Sequence, residues 1–141
     1  MTYLLDTNVL SETRKRQPAA VVVDWIAATP PARLHVSVLT LGEIEQGIAR
    51  IRGRGDLPQA AALERWLSEV VTGFDDRVLP VTLPVAAAWG RQQHARPLPV
   101  VDALIAATAR VHGMTVVTRN VKDFELAEVD VLNPFGELAA I

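Results

Sequence analysis

A few positions of this chain carry the residue types that chemistry needs. In the stretch PVVDALIAATA, residues 99–109, only Asp102 and Thr108 are neither apolar nor small, and Asp102 is the sole acid between Asp76 and Asp123. A lone charge in such a segment is either a helix cap or a tool. Asp6 ends the apolar N-terminal run, Glu43 follows the LTLG piece, and Asn120 and Asp123 follow the TVVTR piece. Four carboxylates, Asp6, Glu43, Asp102 and Asp123, would repel one another strongly if they met without a cation between them. With no His or Cys among them, the all-oxygen set suits hard Mg²⁺ or Mn²⁺. Carboxylate-held Mg²⁺ shares its coordination sphere with phosphates, which points to phosphoryl chemistry. One ion lowers the pKa of an attacking water, and a second would stabilise the leaving oxygen.

Each residue also has an ordinary structural use. Asp6, Thr7 and Asn8 are all helix-cap and turn formers. Asp102, just past Pro99, is placed to favour a helix dipole. Asn120 and Asp123 suit a turn. Glu43 lies off the apolar stripe of its segment and Glu45 is angularly nearer to it, so periodicity does not choose between them. Gly47, one turn beyond Glu43, would leave open space beside that carboxylate.

The elements that must position these residues alternate along the chain. Residues 2–5 form a short apolar run that feeds a helix at Asp6. Pro18 opens a helical stretch over 19–28 that Pro30 and Pro31 stop, and 34–37 reads as a second strand ending in Ser37. A long helix follows, with Leu41, Ile44, Ile48 and Ile51 at helical spacing until Gly53 and Gly55. Residues 57–71 are amphipathic, with Leu63, Trp66, Leu67 and Val70 on one face. Residues 78–81 are a third strand and 86–94 a helix. Residues 97–99 are a loop, and 100–112 a helix closed by Gly113. Residues 114–118 are a β-branched strand, and 129–132 a last, edge strand. Short strands separated by helices predict an α/β domain with a mainly parallel sheet. Ligands of such sheets bind at the carboxyl ends of the strands, where strand order reverses. Asp6, Ser37, Asn120 and Asp123 all follow or end strands, which makes them the polar residues to watch.

At 141 residues, half of them apolar, the chain can bury one sizeable core, so a single domain over 1–141 is expected. The absence of cysteine removes disulfides, thiolate metal sites and a cysteine nucleophile. No apolar run approaches a membrane span and Asp6 interrupts any signal-peptide core, so a cytoplasmic protein without a membrane partner is expected. A net charge of −2 gives no overall basic footprint for nucleic acid. Basic residues nevertheless cluster at 14–16, at Arg50, Arg52 and Arg54, and at Arg119 and Lys122. Solvated helix ends are the ordinary account of such clusters.

The pieces YLLDTNVLSE, SVLTLGEIEQGI, PVVDALIAATARVHG and TVVTRNVKDFE, in this order, resemble the PIN-domain ribonucleases of the VapC type, including the FitB-like branch. The similarity spans almost the whole chain, and DALIAATA followed by a strand and TRN-x-x-DF is its most specific part. The resemblance implies a PIN-like three-layer α/β/α domain. It places Asp6, Glu43 and Asp102 at the family's acidic metal-site positions. Asp123 is a carboxylate that could fill the fourth, where this chain has Asn120 at a position often acidic in the family. Asn8 and Ser37 match supporting polar positions.

The resemblance further implies a Mg²⁺- or Mn²⁺-dependent endoribonuclease, the toxin of a type II toxin–antitoxin pair, cutting RNA such as tRNA or rRNA. Its partners would be a second copy of itself and a VapB-like antitoxin that covers the active site, together forming a larger complex. Trp25 and Ile26 offer either a groove for an antitoxin helix or plain core. Two other classes fit the carboxylates taken alone. A receiver-like Mg²⁺-binding signalling module has a similar acidic pocket, but normally shows adjacent acids after strand one, where Asp6 is flanked by Leu5 and Thr7. A DNA-directed nuclease or phosphatase could use the same site, and the choice of RNA rests on family analogy alone.

Overall fold

The computed structural model describes residues 1–92 and 98–136. Its five strands, β1 (Tyr3–Leu5), β2 (Leu34–Ser37), β3 (Val78–Leu79), β4 (Thr115–Val117) and β5 (Val131–Leu132), form one sheet in the order β3-β2-β1-β4-β5. Every pairing is parallel. The chain runs outward from β1 to β3 on one side, then returns to place β4 against the other edge of β1. The order therefore reverses between β1 and β4, and the crevice at their carboxyl ends is where a ligand site belongs.

Side chains alternate across the sheet with the period of a strand. Leu5, Leu34, Val36 and Val117 face a core shared with α1 (Thr7–Glu12), α2 (Ala20–Ala28), α3 (Val38–Gly53) and α4 (Leu57–Phe74). Leu4 and Val116 face a second core, filled by Ile105, Ala106 and Ala109 of α6 (Val100–His112) and Phe124 of α7 (Val121–Glu125). The remaining helix, α5 (Leu83–Arg91), packs along α6. Burial on both faces explains why the strands are short continuous apolar runs rather than alternating ones. Trp25 and Ile26 pack against the first core, and Tyr3 meets Trp25 edge-on with centroids 5.1 Å apart. Both Trp25 and Ile26 are partly buried, packing against this core from its edge.

Several boundaries differ from expectation for local reasons. Strand β3 stops at Leu79 because Pro80 has no N–H for the ladder. Helix α5 starts at residue 83 rather than 86, since Thr82 Oγ1 accepts from Val85 N at 3.3 Å and Pro84 suits the first turn. The continuation of that helix to His94, and Pro97 of the expected loop, lie outside the described residues. Helix α4 runs on to Phe74, and β4 and β5 are shorter than expected. Residues 121–125, expected as a turn, form a short helix. Helix α6 ends as expected at Gly113, whose φ of +65° is the left-handed cap. Among the described residues no helix is long and apolar enough to cross a membrane.

Candidate active site

Leu5 is in register with Val117, so the next residues along, Asp6 and Thr118, meet at the reversal point. Asp6 is only 4% exposed. Its Oδ1 accepts from Thr7 N at 2.8 Å and so caps α1, while Oδ2 accepts from Thr118 Oγ1 at 2.8 Å and Asn8 Nδ2 at 3.3 Å. The cap explains one oxygen; the other is held by residues that no helix cap requires. Burial pushes the Asp6 carboxyl above its ordinary pKa, bonds from Thr118 and Thr7 pull it back, and Glu43 raises it further. Asn8 staples the two strand ends together, donating also to Thr118 Oγ1 at 3.3 Å and accepting from Arg119 N at 3.2 Å.

Glu43 arrives on α3, which Ser37 opens: the buried Ser37 Oγ accepts from Leu39 N at 3.0 Å. Rotation of this helix sets Glu43 and Glu45 apart. Glu43 Oε1 accepts from Thr7 Oγ1 at 2.6 Å, whereas Glu45 is exposed. Gly47, one turn on, lines the same small groove as Glu43 and Thr7.

Asp102 is half-buried in the first turn of α6, whose N-cap Pro99 makes no side-chain cap bond. A carboxylate placed there for the helix dipole would have its pKa lowered. The opposite holds: Asp102 is pushed up to about 6, by burial first and then by the negative charges of Asp6, Glu43 and Asp123. Four acids from β1, α3, α6 and α7 thus act on one another at one end of the sheet. They are gathered at electrostatic rather than ligating range, for among the described residues no three His, Cys, Asp or Glu side chains close on a common point fit to hold an ion.

Asp123 is half-buried on α7, and its charge reaches Asp102. Asn120 is exposed; its N–H donates to Thr118 Oγ1 at 3.0 Å, and its side chain makes no cap bond to α7. Sequence reasoning missed Thr118, which touches Asp6, Asn8 and Asn120, and saw Thr7 only as a cap former. The pairing of β4 with β1 would have pointed to Thr118, but strand order is not written in a single sequence.

Residues 3–131 match the family described as PIN domain. The chain is 34% identical to toxin FitB of Neisseria gonorrhoeae, with 95% of this chain and 99% of that protein aligned. It is 32% identical to VapC ribonuclease Y4jK of Sinorhizobium fredii, over 94% of this chain and 96% of the relative. The crystal structure of FitAcB from Neisseria gonorrhoeae superposes with a TM-score of 0.87 at 33% identity, covering 95% of this chain and 99% of that one.

Proposed function

The chain belongs to the PIN-domain family, and from that premise we propose that it is an endoribonuclease toxin dependent on Mg²⁺ or Mn²⁺ and restrained by a VapB-like antitoxin. The observation that carries the proposal is the gathering of Asp6, Glu43, Asp102 and Asp123 at one end of the sheet, with Asp6 held by Thr118 and Asn8 and Glu43 held by Thr7. Such an excess of negative charge, all oxygen and partly shielded from water, fits a hard divalent cation. Asp6, Glu43, Asp102 and Asp123 would hold it by closing in from the electrostatic range at which they stand. When bound, the ion supplies an activated water and screens the charge that develops on the phosphate.

The chain's own residues set up the rest. Thr118, Asn8 and Thr7 N fix both oxygens of Asp6 before any substrate arrives, so the carboxylate is preorganised. Thr7 Oγ1 fixes one oxygen of Glu43 and leaves the other for a ligand. Asn120 and Ser37 act on the backbone: the N–H of Asn120 is tied to Thr118, and Ser37 starts the helix that carries Glu43. Membership of this family leaves no place for a receiver-like signalling module. RNA as substrate and an antitoxin as partner follow from the relatives named as a VapC ribonuclease and a toxin. Self-association into a dimer, and into a larger complex with the antitoxin, belong to the same proposal.

Total RNA incubated with the purified chain should be cleaved with Mg²⁺ or Mn²⁺ and left intact in EDTA. Asp6→Asn and Asp102→Asn should each lose at least about a hundredfold in rate while keeping a native circular-dichroism spectrum, since a ligand to a catalytic ion contributes several kcal/mol at the transition state. Wild-type cleavage by either variant at limiting Mn²⁺ would remove that residue from the site.

A further inference from the structure

Two basic clusters that are far apart in sequence come together beside the carboxylates. Thr7, Ser11 and Arg14 are spaced i, i+4, i+7 along and just beyond α1; Glu43, Gly47 and Arg50 have the same spacing on α3. All six line one groove of about 200 Å³. The groove begins where Thr7 Oγ1 donates to Glu43. Further along, its walls carry Arg14, just past the end of α1, and Arg50, whose guanidinium lies beside Gly47. A second depression of about 450 Å³, lined by Gly47, Arg50, Ile51 and Arg54, continues beyond it.

Several basic residues near the groove are already engaged. Lys15 is paired with Glu12 at 2.9 Å, Arg52 with Glu64, and Arg119 lies over the Phe135 ring at 3.7 Å. Among the described residues no carboxylate pairs with Arg14, Arg50 or Arg54. Arg14 lies over the Trp66 ring at the outer range of a cation–π contact, 6.0 Å from the centroid. Such a contact leaves the guanidinium charge unneutralised. The result is a positive track leading away from an acidic centre in a chain whose net charge is −2.

We propose that the groove between α1 and α3 is the path of the RNA strand on one side of the scissile phosphate, with Arg14 and Arg50 binding the neighbouring backbone phosphates and Arg54 the exit. The proposal rests on the ribonuclease reading and assigns a direction and contacts to its substrate. Gly47 provides the passage: a Cβ there would meet only Arg50 Nη2 at 4.0 Å, so the open wall is a lack of side chain and not a packing requirement.

The test is fluorescence anisotropy of a labelled 12-nucleotide uridine RNA in EDTA, where no cleavage occurs, titrated at several NaCl concentrations. Arg14→Gln and Arg50→Gln should each weaken binding about fivefold and flatten the slope of log K against log[NaCl] by about 0.7, the value for one phosphate contact on a single strand. Arg14→Lys should retain the slope, which separates charge from packing. Gly47→Leu should weaken binding by obstruction and leave the melting temperature unchanged or higher. Arg33→Gln, at the opposite end of the sheet just before β2, should change nothing. Unchanged affinity and slope in both arginine variants, or an equal loss in Arg33→Gln, overturns the proposal. If the wild type still cleaves total RNA in Mn²⁺, only the groove assignment fails, and the surface belongs to another occupant such as an antitoxin arm. If the wild type neither binds the oligonucleotide nor cleaves RNA, the ribonuclease reading fails, and the groove with it.

Discussion

Asp102 is the point where two physical effects oppose each other. The dipole of α6 favours its charge by at most about 1 kcal/mol at an ordinary exposed site, yet burial and three neighbouring acids hold its carboxyl at about 6. Its pKa is thus higher folded than unfolded, and the folded chain binds more protons between about pH 4 and 6. Stability therefore falls as pH rises through that window and stays reduced above it. Discounted for a half-exposed carboxylate, the penalty is on the order of 1 kcal/mol. In EDTA, Asp102→Asn should melt a few degrees above wild type at pH 8, with the gap closing toward pH 4 in calorimetric scans. The same reasoning separates Glu43 from Glu45. Glu43→Gln should weaken Mn²⁺ binding by about tenfold or more and Glu45→Gln hardly at all; the reverse order in a calorimetric titration would move the site by one helix face. At the fourth position Asp123→Ala should raise the Mn²⁺ needed for half-maximal cleavage and Asn120→Asp should lower it.

Helix α3 shows how an element turns a cap into the placement of a carboxylate. Ser37 is both the last residue of β2 and the N-cap of α3, so the helix starts at a fixed rotation from the sheet and carries Glu43 to Thr7. Ser37→Ala should cost about 1 kcal/mol in urea unfolding and also raise the Mn²⁺ requirement; a stability loss with unchanged metal dependence would limit Ser37 to the cap. The strand around 115–117 and the helix 100–112 with its Gly113 cap were legible because their signals are local: a β-branched run, a periodic face, a glycine at the left-handed position. Helix α7 was not, since five residues are too few to display a 3.6-residue period. Nor could periodicity choose Glu43, because the partner that selects it lies 36 residues away on α1. The identities of the acids were visible in sequence. Their convergence depends on β4 returning to the side of β1, which is a property of topology alone.

At the scale of the molecule, two apolar cores grip a sheet that presents four like charges at one end. The cores stabilise the fold, and the acidic end works against it, a penalty that a bound cation would relieve. An ion that binds the folded chain and not the unfolded one adds RT ln(1 + [L]/Kd), about 2.7 kcal/mol at a hundredfold excess over Kd. For a domain of this size that corresponds to a rise in Tm of roughly 5–10 °C. Protons compete for the same oxygens, so the rise should shrink as pH approaches 5 and Asp102 becomes protonated. Differential scanning calorimetry with and without Mn²⁺ at pH 8 and pH 5 reads both effects. In Asp102→Asn, which starts more stable in EDTA, the response to Mn²⁺ should be largely lost. The variant and the wild type should then exchange order as the ion is added. A wild-type response in the variant would place the ion away from this crevice. No response in either would mean that the four carboxylates tolerate one another without an ion.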